Sequence, residues 1–343
     1  MTGSFLTDDI EVQASVDARL ALLPPLQARY EAAPLRELLA DPAVLAVIGF
    51  GAHAPLGDDD PRYLNVPLEP VAPAAPFEVW RGTGVVRSGR DGEVRWTGNG
   101  DYTLAVLEID EASHGGIAAA ACHAYRVLGA WLAGASTPHA LRIWNYLDAI
   151  NEGDGDVERY REFCRGRAEG MRGVFVDGYP AATAIGTRDG GRILRMYWIA
   201  ARVPGTALEN PRQVSAWRYP RQYGPSAPTF ARAMHAPTHS PQLYISGTAA
   251  IVGHASHHHG DFGAQVGETL ANLGSLLGAA GFPPARRFGT ECALKMYVRQ
   301  PEDAAAAAEL LRAQLPAGTA FVLLHGDICR RELLIEIDGI QTG

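Results

Sequence analysis

The sequence predicts an α+β protein made of two tandem domains, each a mixed β-sheet with helices on one face. Two observations predict this. The order helix, strand, helix, strand, strand occurs twice along the chain, and internal duplication of that kind points to two similar units. The chain has 343 residues, more than one ordinary domain, and its 47% hydrophobic and 20% charged content is that of a globular protein. The join falls in a Pro/Tyr-rich segment at about 210–228, which gives domains of 1–212, including an N-terminal extension, and 213–343.

Taken in order, residues 18–40 carry helical patches and 44–50 form an apolar strand. Pro55, Pro61, Pro67, Pro70, Pro73 and Pro76 then interrupt any helix or central strand, so this stretch is a surface connection or a sheet edge. Short β segments follow at 77–86, 92–98 and 102–109, with Gly-Arg-Asp-Gly turn chemistry between the first two. Ile117, Ala121, Ala124, Leu128, Trp131 and Leu132 recur at spacings of three and four and predict a helix over 116–135. A strand at 141–150 puts Arg142, Trp144 and Tyr146 on one face, and a helix at 156–170 leads to strands at 181–187 and 192–203. The second copy runs through a strand at 243–252, a helix at 262–280, a strand at 292–299, a helix at 301–314 and strands at 321–325 and 333–337. In the last strand Leu334, Glu336 and Asp338 share one face. Periodicity alone makes Glu336 a solvated edge residue.

Several function classes are excluded. A formal net charge of -8 without a Lys/Arg run argues against nucleic acid or an anionic membrane as partner. Cys122, Cys164, Cys292 and Cys329 are scattered, with no metal-ligand spacing, which fits a reducing cytoplasm. No basic and apolar leader opens the sequence, and no apolar run reaches the length of a membrane span. The signatures GxGxxG, GxxxxGK[ST] and GxSxG are missing. His254, His257, His258, His259 and Asp261 invite a metal reading, but neighbouring histidines alternate faces, so loop hydrogen bonding is expected, with no metal and no cofactor.

The second unit resembles the YjgF/RidA superfamily through FARAM (230–234), LYISGTAAI (243–251), LLGAAG (276–281) and the closing LLIEIDGI. Further segments resemble the chorismatases, which look like two such units fused: RIWNYLDAIN, YREFCRGRA, YPAATAIG, YPRQYGP, HHGD, LKMYVR and LLHGDICRRELLIEI. The likeness runs from about residue 77 to the C-terminus. It implies a cofactor-free enzyme that removes the enolpyruvyl group of chorismate as pyruvate.

The resemblance also singles out residues. Glu336 is expected as the acid that protonates the enolpyruvyl methylene, and Arg299 and Arg232 as ligands of the two substrate carboxylates, since a guanidinium fork suits a carboxylate. Tyr223 in YPRQYGP is a candidate anion contact, with packing as its other reading; Asn145 and Tyr146 are weaker candidates. Gly247 and Cys329 resemble the hydroxybenzoate-forming branch, so the expected product is 3-hydroxybenzoate, with 4-hydroxybenzoate as a further one. A dihydroxycyclohexadiene product, a RidA-type enamine/imine hydrolase and a non-catalytic ligand-binding module remain alternatives. The expected assembly is a monomer or a small homo-oligomer, with the pocket in the second unit closed by its neighbour.

Overall fold

The computed structural model describes residues 22–55, 59–72 and 77–343. Its N-terminal part contains Gln27–Glu31 (β1), Leu35–Ala40 (α1), Val44–Phe50 (β2), Tyr63–Val66 (β3), Pro70–Ala72 (β4) and Phe77–Arg81 (β5). Four of these strands form a small sheet in the order β1-β5-β2-β3. The helical patch expected at 18–40 is therefore shorter than predicted, and residues 18–21 lie outside the described residues. Gln27–Glu31 alternates polar and apolar side chains, and that period of two pairs it with β5 as a strand. The proline-rich stretch does supply an edge, because β4 closes one side of the largest sheet.

The first repeat comprises Arg87–Asp91 (β6), Val94–Gly98 (β7), Tyr102–Asp110 (β8), Ile117–Gly134 (α2), His139–Asp148 (β9), Arg159–Gly170 (α3), Ala181–Thr187 (β10) and Ile193–Ala201 (β11). The second comprises Thr206–Leu208 (β12), Ala233–His235 (β13), Gln242–Ala249 (β14), the small hairpin Ile251–Val252 (β15) and Ala255–Ser256 (β16), Phe262–Ala279 (α4), Cys292–Val298 (β17), Ala304–Gln314 (α5), Ala320–His325 (β18) and Ile335–Thr342 (β19). The two large sheets have the orders β10-β9-β11-β8-β7-β6 and β12-β13-β14-β19-β17-β18-β4. Replacing β8, β9, β10 and β11 by β14, β17, β18 and β19 converts the core of one order into the other. The parallel pair also recurs, as β9 with β10 and β17 with β18. The repeat of helices and strands in the sequence is thus a repeat of topology.

Strand alternation then sets the layers. One face of each sheet carries Ile, Leu and Ala onto its own two helices, α2 and α3 or α4 and α5. The opposite faces meet across a shared core containing Trp144, Tyr197, Tyr244 and Tyr297. Rings of this size each bury roughly 150–250 Å², so this aromatic layer is a major contribution to holding the units together. The result is helices, sheet, sheet, helices. Two flanks of that sheet-to-sheet interface are related by the repeat. The N-terminal sheet fills the one near β8 and β18: Thr97 Oγ1 donates to the Leu45 carbonyl at 2.6 Å, and Tyr30 Oη to the Leu294 carbonyl at 2.8 Å. The other, near β10 and β14, is hollow.

Candidate active site

The hollow flank is a cavity of about 490 Å³, within the usual range for a small-molecule site. The first unit contributes Tyr160, Arg167 and the β10 segment Ala182, Thr183 and Ala184; the second contributes Arg232, Gly247, Ala249, Cys329, Arg330 and Glu336. The site thus lies between the units. Ala182 N donates to Ser246 Oγ at 2.9 Å, and Ser246 Oγ donates to the Ala231 carbonyl at 2.6 Å, which ties β10 to the second sheet beside the cavity.

Glu336 is only 5% exposed. The edge position suggested by its periodicity is wrong, because β19 lies inside its sheet between β14 and β17. Its carboxyl makes no hydrogen bond to a described residue and borders the cavity. Burial, with the negative charge of Asp338 added, pushes this carboxyl up to about 8, against the pull of Arg142, Arg232 and Arg299. The group is therefore largely a neutral acid near pH 7.

Gly247 explains how the carboxyl fits. The β14–β19 ladder is irregular between Ile245 and Thr248, and Gly247 sits in that break. A Cβ there would lie 2.0 Å from Glu336 Oε1 and 2.9 Å from its Cδ. Only a residue without a side chain leaves the carboxyl its place.

Behind Glu336 the sheets share a layer of buried polar groups. Arg142 and Asp338 pair at 3.2 Å, and Lys295 and Glu78 at 2.7 Å. Tyr297 Oη donates to Asp338 at 2.9 Å, Lys295 Nζ donates to Tyr197 Oη at 2.8 Å, and Tyr146 and Tyr297 share a 3.1 Å hydroxyl contact. Arg142 also donates to Thr183 Oγ1, on the cavity wall. Positive and negative charges balance within the layer, which is how ions survive away from water. Tyr146 belongs to this layer, and Asn145 is engaged by Tyr125 and the Thr183 carbonyl, so neither weaker candidate lines the cavity.

Five of the six principal candidates converge: Glu336, Cys329, Arg232, Tyr223 and Gly247 all border the cavity. Arg232 donates through Nη2 to Tyr219 Oη at 2.6 Å and to the Val214 carbonyl at 2.9 Å, while its buried Nε has no partner. Tyr223 meets His254 Nδ1 at 3.2 Å, and the Arg330 guanidinium lies 3.8 Å from its ring centre. Burial pushes the Cys329 thiol up, and the Glu336 charge adds to that, so sulfur is held as the thiol.

Arg299 is the correction. Its Nε and Nη2 donate to the carbonyls of Leu333, Ile328 and Arg330, and its Nη1 to Asn151 Oδ1 and Asp327 Oδ1. It does not line the cavity. Its guanidinium holds the HGD turn, which Gly186 and Asp327 also fasten to β10 through reciprocal backbone bonds of 2.8 and 2.9 Å. Arg299→Ala is accordingly expected to cost about 1–3 kcal/mol of stability, since the carbonyls of Leu333, Ile328 and Arg330 lose their donor while Asp327 keeps its pair with Arg188. Thermal unfolding checks this: an unchanged Tm with a strongly raised Michaelis constant would return Arg299 to the substrate.

The sequence reading missed Arg167 and Arg330. Arg167 is 2% exposed, borders the cavity, donates to the Thr229 carbonyl and has a buried Nε without a partner. Arg330 leaves part of its guanidinium open to the cavity after donating through Nη1 to the His254 carbonyl and Ser256 Oγ. Arg330 was within reach, as it stands in the same HGDICRRE stretch; Arg167 looked like one of several arginines on a solvated helix. The histidines hold separate loop contacts: besides His254 with Tyr223, His258 meets Glu268 at 3.1 Å and His259 the Ser256 carbonyl at 3.2 Å, while Asp261 caps α4.

Comparison with known proteins shows the family. The sequence profile described as chorismatase FkbO/Hyg5-like, N-terminal, matches residues 78–200. A 3-hydroxybenzoate synthase of Streptomyces hygroscopicus is 34% identical over 313 residues, covering 87% of this chain and 91% of that protein. The chain belongs to the chorismatase family. A chorismatase of Streptomyces rapamycinicus is 37% identical over 275 residues, covering 77% of this chain and 81% of that one. A crystal structure of a chorismatase superposes with a TM-score of 0.82 at 32% identity, covering 93% of this chain and 99% of the other. In this chorismatase-family chain the cavity presents a neutral carboxyl, a thiol and several guanidinium groups to one small volume. Such groups can hold carboxylates and deliver a proton. Among the described residues no helix is long and apolar enough to cross a membrane.

Proposed function

We propose that this enzyme converts chorismate into 3-hydroxybenzoate and pyruvate, with Glu336 as the general acid. The observation that carries the reading is a buried carboxyl, pushed up to about 8, unpaired and facing a cavity lined with arginines. Chorismate brings two carboxylates; Arg232, Arg167 and Arg330 border the cavity and are assigned to receive them. Glu336 then gives its proton to the methylene carbon of the enolpyruvyl group, leaving an oxocarbenium centre on the adjacent carbon. The neighbouring ring hydroxyl attacks that centre and gives up its proton, forming a cyclic ketal; its ring C–O bond then breaks, the freed oxygen becomes the keto oxygen of pyruvate as the pyruvate carbon releases the original ether oxygen to the ring, and loss of a ring proton gives the aromatic phenol. Protons and oxygens balance without water. The thiol of Cys329, beside Glu336, is placed to pass a proton in the aromatisation. Tyr223 supports Arg330 through its ring, and a share of 4-hydroxybenzoate belongs to the same proposal.

We also propose the division expected at 212/213, moved forward to before β12, because Thr206–Leu208 pairs with β13 in the second sheet, and a cytoplasmic location, which the free state of all four cysteines fits. The experiment is incubation with chorismate, following its absorbance, pyruvate release and the aromatic products by chromatography. Equal molar pyruvate and a dominant 3-hydroxybenzoate peak are expected; a dominant dihydroxycyclohexadiene would overturn the product assignment.

The reaction should also report the acid's ionisation. Glu336 works protonated, so the rate is expected to be level below neutrality and to decline as pH rises through about 8, where the carboxyl loses its proton. A pH profile of kcat tests this; an acidic limb near the ordinary carboxylate range and no decline above pH 8 would assign Glu336 the opposite role.

A further inference from the structure

Three side chains from separate parts of the first unit meet far from the cavity. Glu93 follows the β6–β7 turn, His114 lies in a short 3-10 turn after β8, and His123 is on α2. Their ligand atoms all lie within 4.8 Å of one another. The β6–β7 hairpin is at the opposite end of its sheet from β10, which borders the cavity, so the cluster shares nothing with the catalytic machinery.

We propose that Glu93, His114 and His123 form a binding site for a divalent transition metal of the zinc class. The chemistry of the donors supports it. His114 Nδ1 contacts the Asp110 carbonyl at 3.0 Å. Since a carbonyl only accepts, that nitrogen carries the proton in this contact, and Nε2 keeps the lone pair. Metal-bound histidines are oriented by this kind of outer contact. His123 Nε2 and Glu93 Oε2 are 2.8 Å apart, so a carboxylate already stands beside the second imidazole. The imidazole rings are 4.6 Å apart, close enough for a nitrogen of each to reach one ion. On binding, the metal takes Nε2 of His123, and the single proton of that neutral ring is carried on Nδ1. Two imidazoles and one carboxylate suit zinc, with water in a fourth position, and do not suit magnesium or calcium, which require more oxygen ligands. Glu93 is exposed and the histidines are half-buried, so modest rotation brings the donors to bond lengths of about 2 Å. The bound ion would clip the hairpin to the start of α2.

The test is isothermal titration of zinc chloride into the untagged full-length protein after chelation and desalting. One zinc per chain is expected, unaffected by excess magnesium, with a rise in Tm on loading. Glu93→Gln, His114→Ala and His123→Ala should each weaken binding at least ~10-fold, the range for disturbing even an outer contact of a metal site. These residues lie outside the cavity, so chorismate turnover should stay at the wild-type rate in all three. Absence of zinc binding would overturn the proposal. So would full retention in the His114→Ala/His123→Ala double variant, which would assign the ion to the histidines at 254–259 instead.

Discussion

Glu336→Gln is expected to lower kcat for chorismate by about 100- to 10,000-fold, the usual contribution of a positioned general acid. Glutamine keeps the shape and polarity of the neutral side chain but carries no proton that it can release to carbon. The Michaelis constant should change little, because the arginines hold the substrate. Folding should survive, since Glu336 makes no hydrogen bond to a described residue and is already close to neutral at pH 7. The measurement is steady-state turnover with Tm as the control. Wild-type turnover in a folded Glu336→Gln protein would end the acid assignment.

Gly247→Ala is expected to lower kcat by about 10- to 100-fold, because displacement of a reacting group by about 1 Å can cost two orders of magnitude. The likeness to the hydroxybenzoate-forming branch singles out Gly247 without a physical cause. The structure gives one. The added methyl would lie 2.0 Å from Glu336 Oε1, so the carboxyl itself must move, while Thr183 Cγ2 at 3.3 Å closes a second direction. A displaced acid also changes how the oxocarbenium centre is enclosed, so water should compete better with the ring hydroxyl and the dihydroxycyclohexadiene share should rise. Chromatography of products alongside kcat reads both effects. Wild-type rate and product ratio in Gly247→Ala would show that the carboxyl has room to spare. Cys329→Ala separates the two steps: it should leave chorismate consumption less affected than aromatic product formation.

The repeat also explains why one site suffices. Glu336 on β19 stands opposite Tyr297 on β17, and in the first unit Arg195 on β11 stands opposite Tyr146 on β9. The repeat thus places Arg195, paired with Glu108 and Asp189, where the second unit has its acid. The flank that would hold a second cavity is occupied by the N-terminal sheet. Neither feature was apparent from the chain's own periodicity.

The sequence by itself determined the element order, the duplication and the strand faces, because periods of two and of three to four are local and survive any packing. It also carried enough motif to name Glu336, Cys329, Arg232, Tyr223 and Gly247. What only the tertiary structure decided was which charges face the cavity and which hold the fold. Arg299 and Arg232 both read as carboxylate ligands in one dimension, but the first has its donors committed to the HGD turn and the second keeps a buried, unpartnered Nε. Glu336 read as a solvated edge residue until β14 and β17 were seen on either side of it. A side chain's protonation and availability depend on what surrounds it from other strands, and strands distant in sequence supply those neighbours only when the two sheets close over each other.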